Sequence, residues 1–384
     1  MTALSAQSNS EPIPFIDLKA QRDRLRDKLD AAIAKVLHHG KFVLGPEVAE
    51  FETKAAEFAG ARHAIACANG TDALSLALMA SGIGQKDAVF VPTFTFAATA
   101  EAPALLGATP VFVDIAEDNF NLDVAQLAEA IETAKKNGLR PAAIIAVDLF
   151  GQPADYEAIH AVAAEHGMVV IADAAQSFGA TLHGKRVGTL APITTTSFFP
   201  AKPLGCYGDG GMLFTDDDAT ADILRAIHVH GIGTAQYDYT RIGMNSRLDT
   251  LQAAILLPKL AIFQDEIETR NQVAQRYSEA LSETVITPMV QGDRTSAWAQ
   301  YTIRLKGLNR EAMSSELRAQ GIPTAIYYPK PLHLQAAYDA FPRVKNLPVA
   351  ERLAKEVLSL PMHPYLETKT QDRITAAVKK AAHA

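Results

Sequence analysis

The chain has 384 residues, 48% of them apolar and 21% charged, with a net charge of −7. That length exceeds one ordinary core and predicts two domains of soluble globular composition. The acidic balance, without a basic run, argues against a nucleic-acid groove, and every apolar stretch is interrupted by Asp, Gly or Pro well short of a membrane span.

The opening "MTALSAQSNSEPIP" is polar and lacks the apolar segment of a signal peptide, so residues 1–14 read as a flexible tail. Cys67 and Cys206 are the only cysteines, and with no export signal they point to a cytoplasmic protein rather than a disulfide framework. From about residue 60 short apolar strands alternate with helices. "HAIACA" leads through "NGTD" to the helical "ALSLALMAS". In that turn Asn69, Gly70 and Thr71 either cap the helix or seat a phosphate on its free amides. "DAVFVP" ends in "TFTF", where Phe94 and Phe96 either pack inward or cover a flat ligand, with Phe96 favoured for the latter. "TPVFVDI" and "PAAIIAVDLFG" follow, then the helix around "ADYEAIHAVAAEHG".

"MVVIADAAQSFG" ends its strand in Asp173, which either caps the next turn or faces a cationic ring nitrogen, with Gln176 placed to meet a ring hydroxyl. "SFFPAKPLGCYGDGGM" then sets Lys202 between two prolines and crowds it with glycines. This is either a solvated turn into the strand "GMLFT" or a stiffly held nucleophile. His228 and His230 lack the carboxylate or cysteine partners of a metal site, so no metal is expected. Neither a G-x-x-x-x-G-K-[ST] loop, nor a dinucleotide glycine fingerprint, nor a G-x-S-x-G elbow occurs, which disfavours nucleotide-loop, dehydrogenase and common hydrolase readings. After "GMNSRLDTLQAAILLPKL" a long charged helix leaves the first domain. The predicted division is a large domain over 15–265 and a small α+β domain over 266–384, with strands such as "AWAQYTIRL" and a final helix "TQDRITAAVKKAA". Strands that read as apolar runs between helices predict an α/β fold, a mostly parallel sheet covered on both faces, with ligands beyond the carboxyl ends.

With Lys202, Asp173 and the glycine–threonine turn in place, the chain resembles the DegT/StrS family of nucleotide-sugar aminotransferases, pyridoxal 5'-phosphate (PLP) enzymes of fold type I. The likeness runs from "FIDLKAQ" to "LSLPMHPYL", and "CANGTDAL", "IADAAQSFGA", "SFFPAKPLGCYGDGGM", "IGMNSRLDTLQAA" and "YYPKPLHLQ" are its most specific pieces. The resemblance implies that Lys202 links covalently to PLP and shuttles protons, that Asp173 pairs with the ring nitrogen, and that Gln176 lies near the ring hydroxyl. It assigns phosphate binding to Gly70, Thr71 and Ser197, and ring stacking to Phe96. It further implies a homodimer in which Asn245 reaches the phosphate of the other subunit, with Arg247 beside it near substrate. Tyr327, Tyr328 and His333 match the segment that approaches the sugar, and Tyr327 departs from the family, many of whose members have His there.

Because the PLP-dependent dehydratases of this family replace the lysine with histidine, Lys202 favours amino transfer from L-glutamate. The motifs look most like enzymes acting on UDP-2-acetamido-2-deoxy-3-keto-glucuronate in O-antigen synthesis. A 3-aminotransferase for a dTDP-3-keto-6-deoxyhexose is the alternative, and a non-catalytic PLP or sugar-nucleotide module is the alternative of another class. Arg241, Arg247 or Lys330 would meet a uronate carboxylate.

Overall fold

A computed structural model describes residues 13–235 and 237–383 of the chain. The tail expected over 1–14 therefore lies, up to residue 12, outside the described residues. Ile13 is buried in the C-terminal core, and its amide donates to Gly321 O (3.1 Å).

Helices α1 (Leu18–Arg24), α2 (Arg26–His39) and α3 (Pro46–Ala59) precede the sheet. Pro46 opens α3, where an amide would have no helical partner, and Gly60 closes it in the left-handed region at φ 70°. The alternation follows as β1 (His63–Cys67), α4 (Gly70–Ala80), β2 (Asp87–Pro92), α5 (Ala98–Leu105) and β3 (Thr109–Val113). It continues with α6 (Leu127–Lys136), β4 (Arg140–Val147), α7 (Tyr156–His166) and β5 (Val169–Asp173). After a short hairpin of β6 (Thr181–Leu182) and β7 (Lys185–Arg186) come β8 (Ile193–Ser197), β9 (Gly211–Thr215) and α8 (Asp218–Ile227).

Seven of these strands form one sheet in the order β1-β9-β8-β5-β4-β2-β3. Every pairing is parallel except the two made by β9. This is the mostly parallel, helix-covered sheet that the apolar runs predict; β2 is buried at all six positions. Because β9 runs backwards, its first residue lies where its neighbours end: Gly211 registers with both Cys67 of β1 and Ser197 of β8. On the other side of β8, Thr195 pairs with Asp173 of β5. Four chain segments thus arrive together at the carboxyl edge.

The strand β8, "ITTTS", carries no apolar run and escapes a pattern search. Its threonines are buried because each hydroxyl finds a carbonyl: Thr194 with Val187 O, Thr195 with Ala172 O and Thr196 with Ala174 O, all at 3.2 Å. β-Branching suits them to a strand, and the hydroxyls make them tolerable inside.

Beyond α9 (Thr250–Leu260), α10 (Phe263–Leu281) belongs to two cores. Phe263 stacks with Phe178, itself stacked on Phe214 of β9, and each such pair adds about 0.5–1.5 kcal/mol beyond area burial. Val273, Tyr277 and Leu281 join the second core with β10 (Tyr301–Arg304), α11 (Arg310–Ala319), β11 (Val357–Leu360) and α13 (Thr368–Ala382). The strand expected over "AWAQYTIRL" is confined to Tyr301–Arg304. Ahead of it, Ala297 N donates to Gly151 O (2.9 Å) and Trp298 N to Ser296 Oγ (3.1 Å), which commits that backbone elsewhere. Between α11 and β11 the chain returns to the large sheet: Val344 N donates to Phe112 O (3.1 Å), and α12 (Pro348–Glu356) buries Leu353 in the main core. Asp114 fastens that return by accepting from Val349 N and Ala350 N (2.9 and 2.8 Å).

Candidate active site

The turn after β1 places Asn69 as the N-cap of α4, its Oδ1 accepting from Asp72 N (2.8 Å). Gly70 and Thr71 occupy the first turn, where helix amides point outward unbonded and the dipole favours an anion. Gly70 faces the end of β8 so closely that a Cβ there would stand 2.7 Å from Ser197 Cβ. That approach defines a cradle between α4 and Ser197, open only because residue 70 lacks a side chain.

The loop from Ser197 to Gly211 is drawn in by backbone bonds. Phe198 N donates to Gly210 O, Cys206 N to Phe198 O and Lys202 N to Phe199 O, each at 2.8 Å. Its glycines serve close packing: a Cβ on Gly205 would meet Pro200 O at 2.5 Å, and one on Gly211 would meet Asn69 O at 2.4 Å. The loop is therefore folded onto itself and onto the α4 turn, with Lys202 largely out of water. Burial pushes the Lys202 amine down from its ordinary range, opposed by the Asp173 carboxylate.

Asp173 Oδ1 accepts from Ala175 N (3.1 Å). Burial pushes its acid up, and the Ala175 amide and Lys202 counter that rise. Gln176 is buried, with Oε1 accepting from Phe150 N (2.8 Å), and its amide counters the rise of the Tyr328 phenol. Burial raises the Tyr328 phenol, whose ring lies 6.0 Å from that of Phe94 and 5.9 Å from that of Tyr327. The structure thus gathers Lys202, Asp173, Gln176 and Tyr328.

It also adds Asp148, just beyond β4, which the sequence reading passed over. Asp148 is fully buried and accepts from Ala154 N (2.8 Å), Tyr156 OH (2.9 Å) and Ser177 Oγ (2.6 Å). Its own amide donates to Asp173 O (3.1 Å), and burial, reinforced by Asp173, pushes its acid up to about 7. The signal was present: "AAIIAVD" ends an apolar strand in a carboxylate just as "MVVIAD" does.

The remaining expected residues divide. Phe94 is buried in the main core, whereas Phe96 is 57% exposed at the same strand end, which separates the packing ring from the one free to cover a ligand. Asn245 is exposed and bridges to Val229, and its neighbour Ser246 is buried and accepts from Ala68 N (3.1 Å). The Asn245 segment therefore borders the α4 turn. Arg247 is half-buried, and Arg241 and Lys330 are exposed. Tyr327 is half-buried against Phe15 (6.4 Å). His333 departs from the expectation that it faces a sugar. It is 2% exposed, with Nδ1 on Thr93 Oγ1 (2.6 Å) and Nε2 on Glu351 (3.3 Å), and burial pushes its basicity down. Both ring nitrogens are committed inside the protein, so His333 fastens its segment to the end of β2.

The donor set fits PLP on structural grounds. A helix N-terminus with a side-chain-free cradle suits a phosphate, and a desolvated carboxylate without a contacting guanidinium suits a pyridinium. A desolvated amine nearby is suited to attack a carbonyl carbon.

A family model described as the DegT/DnrJ/EryC1/StrS aminotransferase family matches residues 23–379. The chain is 52% identical over 367 residues to a UDP-2-acetamido-2-deoxy-3-oxo-D-glucuronate aminotransferase of Pseudomonas aeruginosa, covering 95% of this chain and 99% of that one. A solved DegT DnrJ EryC1 StrS aminotransferase from Brucella abortus superposes with a TM-score of 0.95 at 53% identity, covering 97% of this chain and 100% of its own. DesV of S. venezuelae superposes with a TM-score of 0.92 at 39% identity, covering 98% and 100%.

Proposed function

The chain belongs to the DegT/DnrJ/EryC1/StrS aminotransferase family as a PLP-dependent enzyme of fold type I, and from that premise we propose its substrates and the roles of its residues. L-Glutamate donates the amine, and UDP-2-acetamido-2-deoxy-3-oxo-D-glucuronate accepts it at C3. The observation that carries this choice of sugar is the likeness to the Pseudomonas aeruginosa aminotransferase along nearly the whole of both chains. The enzyme would work in the cytoplasm, in the assembly of bacterial surface polysaccharide such as O-antigen.

Bound PLP supplies an electron sink for the carbon that loses or gains the amine. Gly70, Thr71 and Ser197 would hold its phosphate, and Phe96 would cover its ring. Asp173 would keep the ring nitrogen protonated, its desolvation strengthening the attraction, and Gln176 would orient the ring hydroxyl. Lys202 holds the cofactor between turnovers. The Lys202 amine would also carry the proton to and from the reacting carbon, first at glutamate and then at the sugar. Its lowered basicity keeps a larger neutral fraction ready near pH 7 than a solvated lysine has. Tyr327 and Tyr328 line the sugar's approach, and Arg247, Arg241 or Lys330 meets its carboxylate.

A homodimer with shared sites completes the reading. Exposed Phe42, Val43 and Leu44, consecutive along the chain, support it, since apolar side chains grouped on a surface favour a protein partner. Asn245 of one protomer would then complete the phosphate seat of the other. Mixing Lys202→Ala with Asn245→Ala protomers tests this. Both lesions fall in one site of the mixed dimer, so activity absent from either parent returns; inactive purified mixed dimers place Asn245 in its own chain's site.

For the sugar, the protein is incubated with glutamate and three acceptors: the UDP-linked 3-keto uronate, its uncharged 6-hydroxymethyl counterpart and a dTDP-3-keto-6-deoxyhexose. Product masses and specificity constants are read. Charge-assisted recognition of the carboxylate predicts a preference of about tenfold or more for the uronate. Equal constants, or faster amination of the dTDP sugar, overturn the choice.

A further inference from the structure

Lys259, in the last turn of α9, is wholly buried, yet no carboxylate contacts it among the described residues. Its Nζ donates to Gly205 O at 2.7 Å and stands 4.0 Å from the centroid of the Tyr207 ring. Both partners lie in the loop that carries Lys202. A second side chain of α9 takes hold two residues beyond Gly205, where Gln252 Oε1 accepts from Tyr207 N (2.8 Å).

Gly205 rests directly on the loop's opposite limb, since a Cβ there would meet Pro200 O at 2.5 Å and Phe199 O at 2.8 Å. Phe199 O in turn accepts from Lys202 N (2.8 Å). A continuous physical path therefore runs from the buried ammonium through the Gly205 carbonyl to the turn on which Lys202 stands. We propose that Lys259 is a positioning residue for Lys202, anchoring that turn to α9 so that the Lys202 amine is presented in one geometry.

Packing alone does not call for a lysine here. A buried ammonium is costly, and an apolar side chain of similar length would fill the space without that cost. The charge is held by one carbonyl and one aromatic face, and burial pushes Lys259 down to about 8, against the opposing influence of Cys206 and Glu266. What the ammonium supplies, and an apolar chain does not, is a directed bond to the loop.

The inference rests on Lys202 being the residue that binds PLP, and the experiment separates the two. In holoenzyme carrying Lys259→Met, three quantities are measured: the rate of borohydride trapping of PLP on Lys202, the split of kcat against KM for glutamate, and thermal unfolding of the apoprotein. Trapping and kcat are expected to fall about tenfold or more, toward the ~10²-fold loss of a catalytic group misplaced by about 1 Å, with KM nearly unchanged and the melting temperature equal or higher. Lys259→Arg, which keeps a donor, is expected to recover most of the loss. Trapping and kcat near the wild-type values in Lys259→Met overturn the proposal. If that variant does not fold, Tyr207→Leu decides: it strips the ring from the ammonium at a partly exposed position, and slower trapping supports the proposal while an unchanged rate overturns it. If wild-type protein is not trapped at Lys202 at all, the site reading fails instead.

Discussion

At the carboxyl edge of the large sheet, fully buried Asp148 and half-buried Asp173 have amides and hydroxyls for partners and, among the described residues, no guanidinium in contact. Where α12 and β10 meet the loop after β3, by contrast, Glu117 and Glu356 are gripped by arginines. Arg304 reaches Glu117 at 2.6 Å and Glu356 at 3.2 Å, and Arg352 reaches the same two at 2.6 and 3.2 Å. The consequences for ionisation are opposite. The Arg304 and Arg352 bonds hold the Glu117 acid below its usual range, whereas burial lifts both aspartates above theirs. The seam is electrostatically complete and serves docking. The sheet edge is incomplete, and a cationic ring is what would complete it.

Removing the centre of the incomplete region gives the largest effect. Lys202→Ala is expected to lower amino transfer about 10³-fold or more, with an unchanged far-UV spectrum, because it deletes the proposed proton carrier. Turnover near the wild-type rate would reduce Lys202 to a loop residue. Next, Asp173→Asn is expected to slow the half-reaction with glutamate about 10²-fold, a typical loss for one preorganised electrostatic partner. An unchanged spectroscopic rate would leave Asp173 as a turn cap.

Asp148 sharpens the contrast through pH. Its folded acid titrates near 7 and an unfolded aspartate near 4, so between those values the native state holds the extra proton and stability falls as pH rises. Asp148→Asn should therefore be more favourable to stability at pH 8 than at pH 4, by about 4 kcal/mol for a difference of roughly three pKa units. Chemical denaturation at the two pH values checks this, and an equal shift at both would contradict it. The smallest effect belongs to the completed region. Glu117→Gln should cost at most about 1 kcal/mol, since the side chain is half exposed and screened. That loss is present at neutral pH and vanishes as pH falls through the lowered Glu117 acid and wild-type Glu117 is itself neutralised.

Much of this was legible from the residues. The apolar runs from "HAIACA" to "MVVIAD" marked strands, and the rule that ligands gather beyond their carboxyl ends led to Gly70, Asp173 and the lysine loop. Three features were not legible, each for a physical reason. The strand β8 hides because its inward threonines look polar until the carbonyls they meet are known. The antiparallel course of β9, which brings Gly211 beside Ser197 and Cys67, is a matter of register and long-range pairing. His333 sits in a polar-looking segment, and only the fold reveals that Thr93 and Glu351 occupy both of its nitrogens. Lys259 belongs with these, since nothing in "LLPKL" announces a lysine buried beneath a loop some fifty residues upstream.

The central claim is that Lys202 is the amine on which the cofactor resides. The direct measurement is borohydride reduction of the PLP-loaded protein, followed by proteolysis and mass mapping. The account predicts one modified peptide, the one spanning "SFFPAKPLGCYGDGGM", with the added mass on Lys202. An adduct on another lysine, Lys259 included, or no adduct in a protein that still transfers amino groups, would contradict it.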